Sequence, residues 1–236
     1  MLNKEQHQLV MGRILKDIYA DVEMAPLLGF KGGTCAYFFY GLPRFSVDLD
    51  FDLLSDDSEK KEIIFKKILT VLKKYGTVKT PYIKRNTIIA VLSYGDADHN
   101  IKLEINTRYP VDNLANYYEL KEHLGIAILA AKKEYLFTGK LIALGSRDSI
   151  VMRDIYDTYF FAGKNWDIDA ELIKIVTGKN LKDYLKECVA AIAKVSDKNI
   201  LHGLGELVDE KEKDWVRNNL KKETVFALKN YISVLK

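Results

Sequence analysis

A chain of 236 residues with 48% hydrophobic content is long enough to bury a full core, in one large or two small domains, and this excludes a disordered chain. Lys and Arg number 36 against 33 Asp and Glu, and the resulting +3 is too small to argue for a nucleic-acid partner by itself. Cys35 and Cys188 form no Cys-x-x-Cys, and His7, His99, His123 and His202 show no ligand spacing, so a zinc site is not expected.

The opening stretch, MLNKEQHQLVMGRILKDIY, has scattered charges and no apolar core of signal-peptide type. No run approaches the roughly eighteen apolar residues of a membrane span. With free thiols suited to a reducing compartment, the expectation is a cytoplasmic protein without a membrane partner. Leu9, Val10, Ile14, Leu15 and Ile18 give residues 2–19 a helical repeat.

A short segment, Leu27 to Phe30, leads into Gly32-Gly33-Thr34 and an apolar run from Cys35 to Tyr40. Two glycines there predict a sharp turn into a helix. Glycine lets the backbone approach a ligand, and free N–H groups at a helix start beside the Thr34 hydroxyl make a phosphate seat. Read alone, Gly-Gly-Thr is equally an ordinary turn.

From Ser46 the period is two: Val47, Leu49, Phe51 and Leu53 fall on one side, Ser46, Asp48, Asp50 and Asp52 on the other. Residues i and i+2 of a strand are roughly 6.5 to 7 Å apart, so Asp48 and Asp50 can lean toward one point. Two such carboxylates need a cation, a shared proton or open water, and a divalent ion with oxygen ligands meets that need. A solvated strand face is the plainer alternative.

Ser55-Asp56-Asp57-Ser58 caps a predicted helix from Glu59 to Tyr75, with Gly76 as its stop. The segment from Lys60 to Arg85 is rich in lysine, which reads as a solvated helix face or, more sharply, as a patch toward RNA. A hairpin from Tyr82 to Arg108 follows, with Thr87–Tyr94 as its first arm, Gly95-Asp96-Ala97-Asp98 as its turn and Pro110 after it. In its second arm Ile101, Leu103 and Ile105 face the core, while Lys102, Glu104 and Asn106 face out. If this arm lies beside the acidic strand, Glu104 completes an Asp-Asp-Glu cluster.

Residues 117–132 read as a continuing helix or as a break at Gly125 into a strand near Ile126–Leu129, and the strand is preferred. Beyond lie predicted helices at 133–144, 150–162, 169–177, 181–195, 200–208 and 210–235, jointed at Asn165, Gly178, Asn180 and Asn199. On 150–162, Arg153, Asp154 and Asp157 can share a face, and Lys140 lies on the helix before. An exposed salt bridge and a snorkelling surface lysine are the plain alternatives. The expected fold is α+β: a mixed sheet with flanking helices over residues 1–130, then a helical bundle over 131–236.

Gly-Gly-Thr, then Ser-x-Asp-x-Asp, then an apolar-Glu-apolar strand resembles the nucleotidyltransferase superfamily related to DNA polymerase beta. Glu134-Tyr135-Leu136-Phe137, Lys140-Leu141-Ile142-Ala143-Leu144, Arg147 and Arg153-Asp154-Ile155-Tyr156-Asp157, in that order, resemble the AbiEii/AbiGii nucleotidyltransferase-like toxins. The resemblance spans residues 25–162. It implies transfer of a nucleotide from a nucleoside triphosphate to an acceptor hydroxyl, with two Mg²⁺ ions held by Asp48, Asp50 and Glu104. It gives the nucleotide to Gly32, Gly33, Thr34, Ser46, Lys140, Arg147 and Arg153. It makes Lys140 and Asp157 catalytic alongside the three metal ligands, with the helical domain contributing Lys140, Arg153 and Asp157 to the cleft. It also gives Arg44 a contact to phosphate or acceptor.

Some members of the family move nucleotides to the acceptor end of tRNA and are held in check by an antitoxin. RNA, tRNA above all, and a cognate antitoxin protein are therefore the implied partners. A small-molecule (antibiotic) nucleotidyltransferase and a non-catalytic nucleotide-binding or interaction protein of the same fold are the competing readings.

Overall fold

Apolar residues at every second position build a mixed sheet whose strand order among the described residues is β3 (Thr77–Lys84), β4 (Thr87–Tyr94), β5 (His99–Asn106), β2 (Leu49–Leu53), β1 (Leu28–Lys31), β7 (Ile126–Ala131) and β6 (Tyr118–His123). The computed structural model describes residues 3–95, 99–108, 111–147 and 149–235. They fall into two compact units: Met1–Gly41 with Phe45–Lys132, and Leu42–Arg44 with Lys133–Lys236. The expected turn residues 96–98, Leu2 and Pro110 lie outside the described set.

In the first unit α1 (Lys4–Ala20) starts where the Asn3 side chain accepts from the Gln6 N–H, and it buries Met11, Ile14, Leu15 and Ile18. β1 (Leu28–Lys31) runs straight into α2 (Gly32–Tyr40), then β2 (Leu49–Leu53) and α3 (Ser58–Lys73) follow. Asp57 caps α3 by accepting from the Glu59 N–H at 2.8 Å. β2 pairs antiparallel with β1 and parallel with β5 (His99–Asn106). The alternation read from Ser46 onward enters the ladder only at Leu49, and residues 45–48 approach it as irregular chain.

Two edge strands were not expected. β3 (Thr77–Lys84) pairs antiparallel with β4 (Thr87–Tyr94), with a register shift between Lys79 and Tyr82. Pro81 and Thr80, whose φ is 44°, sit in that bulge, which is where an edge strand tolerates them. At the other edge β6 (Tyr118–His123) is half charged and pairs with β7 (Ile126–Ala131). Leu124 and Gly125 join them at φ of 52° and 75°, the two positive values a tight hairpin turn demands. Gly125 therefore breaks the chain into two strands, not one.

The second unit contains α4 (Lys133–Ser146), α5 (Met152–Gly163), α6 (Ala170–Thr177), α7 (Leu181–Ala193), α8 (Glu210–Trp215) and α9 (Lys221–Val234). Phe137, Leu141, Ile155, Phe161, Leu185, Cys188 and Leu228 form its core, and Phe161 stacks on Trp166 with centroids 4.3 Å apart. The helix expected over 200–208 is a run of turns, because Gly203 takes a φ of 65° that ends helical winding. A π-helical turn, Val216–Leu220, joins α8 to α9.

Candidate active site

Sheet register brings the predicted carboxylates together. Asp50 on β2 stands opposite Glu104 on β5, and Lys31 on β1 stands opposite Asp50 from the other side. Lys102, two residues before Glu104 on the same face, forms an ion pair with it. Burial pulls the Lys102 ammonium toward neutrality, but Glu104, Asp50 and Asp48 together hold its pKa above the ordinary lysine value. Glu104 is the acid that ammonium pairs with directly, and Asp50 and Asp48 act on it through their charge.

Gly32 closes on Asp50. Gly32 has φ 78°, and a Cβ there would lie 2.4 Å from Asp50 Oδ2, so only glycine allows the start of α2 to close on this carboxylate. Gly33 is buried in the first turn of α2. Thr34 is fully buried, and its hydroxyl bonds the Asp48 carbonyl and, at 2.9 Å, Ser46 Oγ. Both Thr34 and Ser46 therefore hold the chain that carries Asp48.

Asp52 continues the acidic alternation yet does not share the open face. It is fully buried, bonded by Lys31 Nζ at 2.5 Å, Asn106 Nδ2 at 2.8 Å and the Tyr118 hydroxyl at 2.6 Å. Gly29 makes room for this, since a Cβ on it would meet the Tyr118 ring at 2.3 Å. A buried carboxylate with three donors is satisfied. Sequence reasoning missed Lys31 and Tyr118, and only the register with β1 could have found the first.

His7 was also missed. Buried on α1, it places Nε2 3.0 Å from the Val47 carbonyl and Nδ1 2.5 Å from the Tyr94 hydroxyl. A carbonyl only accepts, so Nε2 carries the proton and Nδ1 accepts from Tyr94. Burial lowers its pKa, against the opposing pull of the Val47 carbonyl and Asp48, which keeps the ring neutral.

The second unit gathers the other predicted residues. Asp157, fully buried on α5, accepts from Arg44 Nε at 2.6 Å and Arg44 Nη2 at 2.7 Å, and lies 2.8 Å from Lys140 Nζ. Lys140 also reaches Asp154 at 2.8 Å, and Arg147 reaches the other Asp154 oxygen at 2.5 Å. Burial pushes the Asp157 pKa up, yet Arg44 and Lys140 more than reverse it and hold the group below the ordinary carboxylate value. Arg44, expected from the resemblance to contact phosphate or acceptor, is only 2% exposed and makes this buried bidentate pair. Arg153 is half-buried on the same helix.

Both thiols are buried, and burial raises their pKa values, that of Cys188 to about 12, so neither is a nucleophile. Among the described residues no three carboxylate, imidazole or thiol groups are drawn tightly enough to hold a metal ion as they stand. The donor chemistry nonetheless fits a hard divalent ion: Asp50 and Glu104 stand opposite each other on adjacent strands, Gly32 packs against Asp50, and Asp48 lies two residues ahead of it. No described helix is long and apolar enough to cross a membrane.

The model of the family described as "Nucleotidyl transferase AbiEii toxin, Type IV TA system" matches residues 13–223. None of the curated proteins matches. Among solved structures, a candidate nucleotidyltransferase from H. pylori is similar at 22% identity and a TM-score of 0.58, over 98% of each chain. JHP933 from Helicobacter pylori shows 21% identity and a TM-score of 0.56, over 98% of this chain and 95% of its own. MenT4, a nucleotidyltransferase toxin from Mycobacterium tuberculosis, shows 15% identity and a TM-score of 0.56, over 99% of this chain and 85% of its own. At these identities the likeness is one of fold.

Proposed function

The chain belongs to the AbiEii family of nucleotidyl transferase toxins of type IV toxin–antitoxin systems, and from that premise we propose that it moves a nucleoside monophosphate from a nucleoside triphosphate to a hydroxyl of RNA, tRNA above all. Asp48, Asp50 and Glu104 are the metal-holding groups. The observation that carries this reading is the register that sets Asp50 against Glu104 on adjacent strands. Those carboxylates would hold Mg²⁺, which would supply the positive charge needed to acidify the attacking hydroxyl and to offset charge on the leaving pyrophosphate.

The chain's own groups do the rest. Gly32 and Gly33 let the first turn of α2 present its N–H groups to phosphate oxygens. Thr34 and Ser46 hold the Asp48 backbone in place. Within the helical unit Asp157 and Asp154 fix Lys140, and Asp154 also holds Arg147. A separately encoded antitoxin restrains the activity.

The test is to mix the purified chain with labelled nucleoside triphosphates, Mg²⁺ and total cellular RNA. Label on RNA is expected, and Asp48→Ala or Asp50→Ala is expected to abolish both transfer and growth arrest on expression. Label on a small acceptor with none on RNA overturns the acceptor assignment. Growth arrest that survives both substitutions overturns the transferase as the source of toxicity.

A further inference from the structure

Asp48 is the metal-holding residue with the least support from the sheet. It lies one residue ahead of the first β2–β5 pair, Leu49↔Leu103, and outside the β1–β2 register, which ends at Lys31↔Asp50. Residues 45–48 have no regular structure. The aim of a carboxylate depends on how firmly its backbone is held, and a metal site needs its ligands held within a fraction of an ångström.

Two side chains restrain consecutive carbonyls of that stretch. Thr34, on α2, holds the carbonyl of Asp48 itself. His7, on α1, holds the carbonyl of Val47 through Nε2–H at 3.0 Å. The His7 ring cannot turn away, because Nδ1 is engaged by the Tyr94 hydroxyl of β4 and the ring is packed against Phe45 and Tyr94, with centroids 5.8 and 5.6 Å away. The peptide between the two held carbonyls is the one that orients Asp48.

We propose that His7, with Tyr94 behind it, is a positioning residue for the metal site: it clamps the Val47 carbonyl and so keeps the Asp48 carboxylate on the point that Asp50 and Glu104 also face. The role deepens the function proposed above and rests on that metal-holding reading. His7 touches no substrate. It does for Asp48 what a ladder bond does for Asp50, and an α1 residue far from the acidic motif thereby becomes part of the site's definition.

The test measures Mn²⁺ uptake by the full chain without nucleotide, from the paramagnetic resonance of the free ion, beside thermal unfolding of each variant. His7→Leu keeps the bulk and removes the donor, and it is expected to weaken Mn²⁺ binding by roughly tenfold, as loss of an outer partner of a metal ligand does. His7→Gln returns an N–H donor at the place of Nε2 and is expected to restore binding. Tyr94→Phe, which removes one hydroxyl and keeps the ring, is expected to weaken binding by less than His7→Leu.

If folded His7→Leu binds Mn²⁺ as the wild type does, with only its unfolding temperature lowered, His7 is a core residue and the proposal falls. Should His7→Leu fail to fold, the contrast between Tyr94→Phe and wild type decides: equal binding overturns the clamp. A wild-type chain that takes up no Mn²⁺ overturns the metal reading itself and the clamp with it, an outcome distinct from equal binding by wild type and variant.

Discussion

Asp157 in the helical unit is wholly buried and held by Arg44 and Lys140, whereas Glu104 in the α/β unit is 34% exposed and pairs with Lys102. Around the first, the cations Arg44, Lys140 and Arg147 meet the acids Asp157 and Asp154. Around the second, the acids Asp48, Asp50 and Glu104 bear on the ammonium of Lys102. The sequence raised the expectation of a functional role for both groups, but their physics differs. A buried carboxylate matched by hydrogen-bonded cations is an anchor, while half-exposed carboxylates on neighbouring strands invite a further cation.

The sharpest way to break this contrast is Asp157→Ala. It removes the buried carboxylate that both Arg44 and Lys140 pair with and is expected to destabilise the chain by about 3–5 kcal/mol, read from denaturant unfolding. The sign with pH follows from the shifts. The Asp157 pKa lies below its ordinary 3.8, so its contribution is present above 3.8 and lost as pH falls through the depressed folded value. Lys140 lies above its ordinary 10.5, so its contribution is full below 10.5 and lost as pH rises through the raised value. The gap between wild type and Asp157→Ala is expected to stay flat between these limits; a gap that shrinks near neutrality contradicts the anchor.

Gly32→Ala comes next. The positive φ and the collision with Asp50 are expected to cost roughly 1–3 kcal/mol and to depress Mn²⁺ uptake, because the carboxylate must move. Unchanged uptake would show that Asp50 holds no metal. Smaller still is Lys102→Met, whose half-exposed pair with Glu104 is expected to change stability by less than about 1 kcal/mol. Its effect on metal is expected to be the reverse of Gly32→Ala: tighter Mn²⁺ binding, because the competing ammonium is gone. The least effect is expected from thiol reagents, which should leave Cys35 and Cys188 of the native chain unlabelled until it unfolds.

Much of the α/β unit is legible because its interior obeys period two. Leu49, Phe51 and Leu53, with Ile101, Leu103 and Ile105, announce β2 and β5, and the alternation that buries them also lines up Asp50 with Glu104. The edge strands β3 and β6 escape that signal because half their residues are charged or polar and only their partners make them strands. Reading Asp52 as an open-face acid fails for a related reason: Lys31 and Tyr118, which satisfy it, are visible only once β1 and β6 are in place. His7 and Arg44 carry no local pattern at all, since their roles are set by partners 40 and 113 residues away. Helix caps such as Asp57, Asp169 and Asn180 were readable because a cap is a bond within a few residues.

Leu42–Arg44 belongs to the helical unit, although the chain around it builds the other. The gene therefore cannot be cut into halves at Lys132 without leaving the first fragment an arginine whose counter-charge is encoded downstream. A fragment ending there would carry Arg44 without Asp157, and supplying residues 133–236 as a separate polypeptide should recover what a single fragment loses.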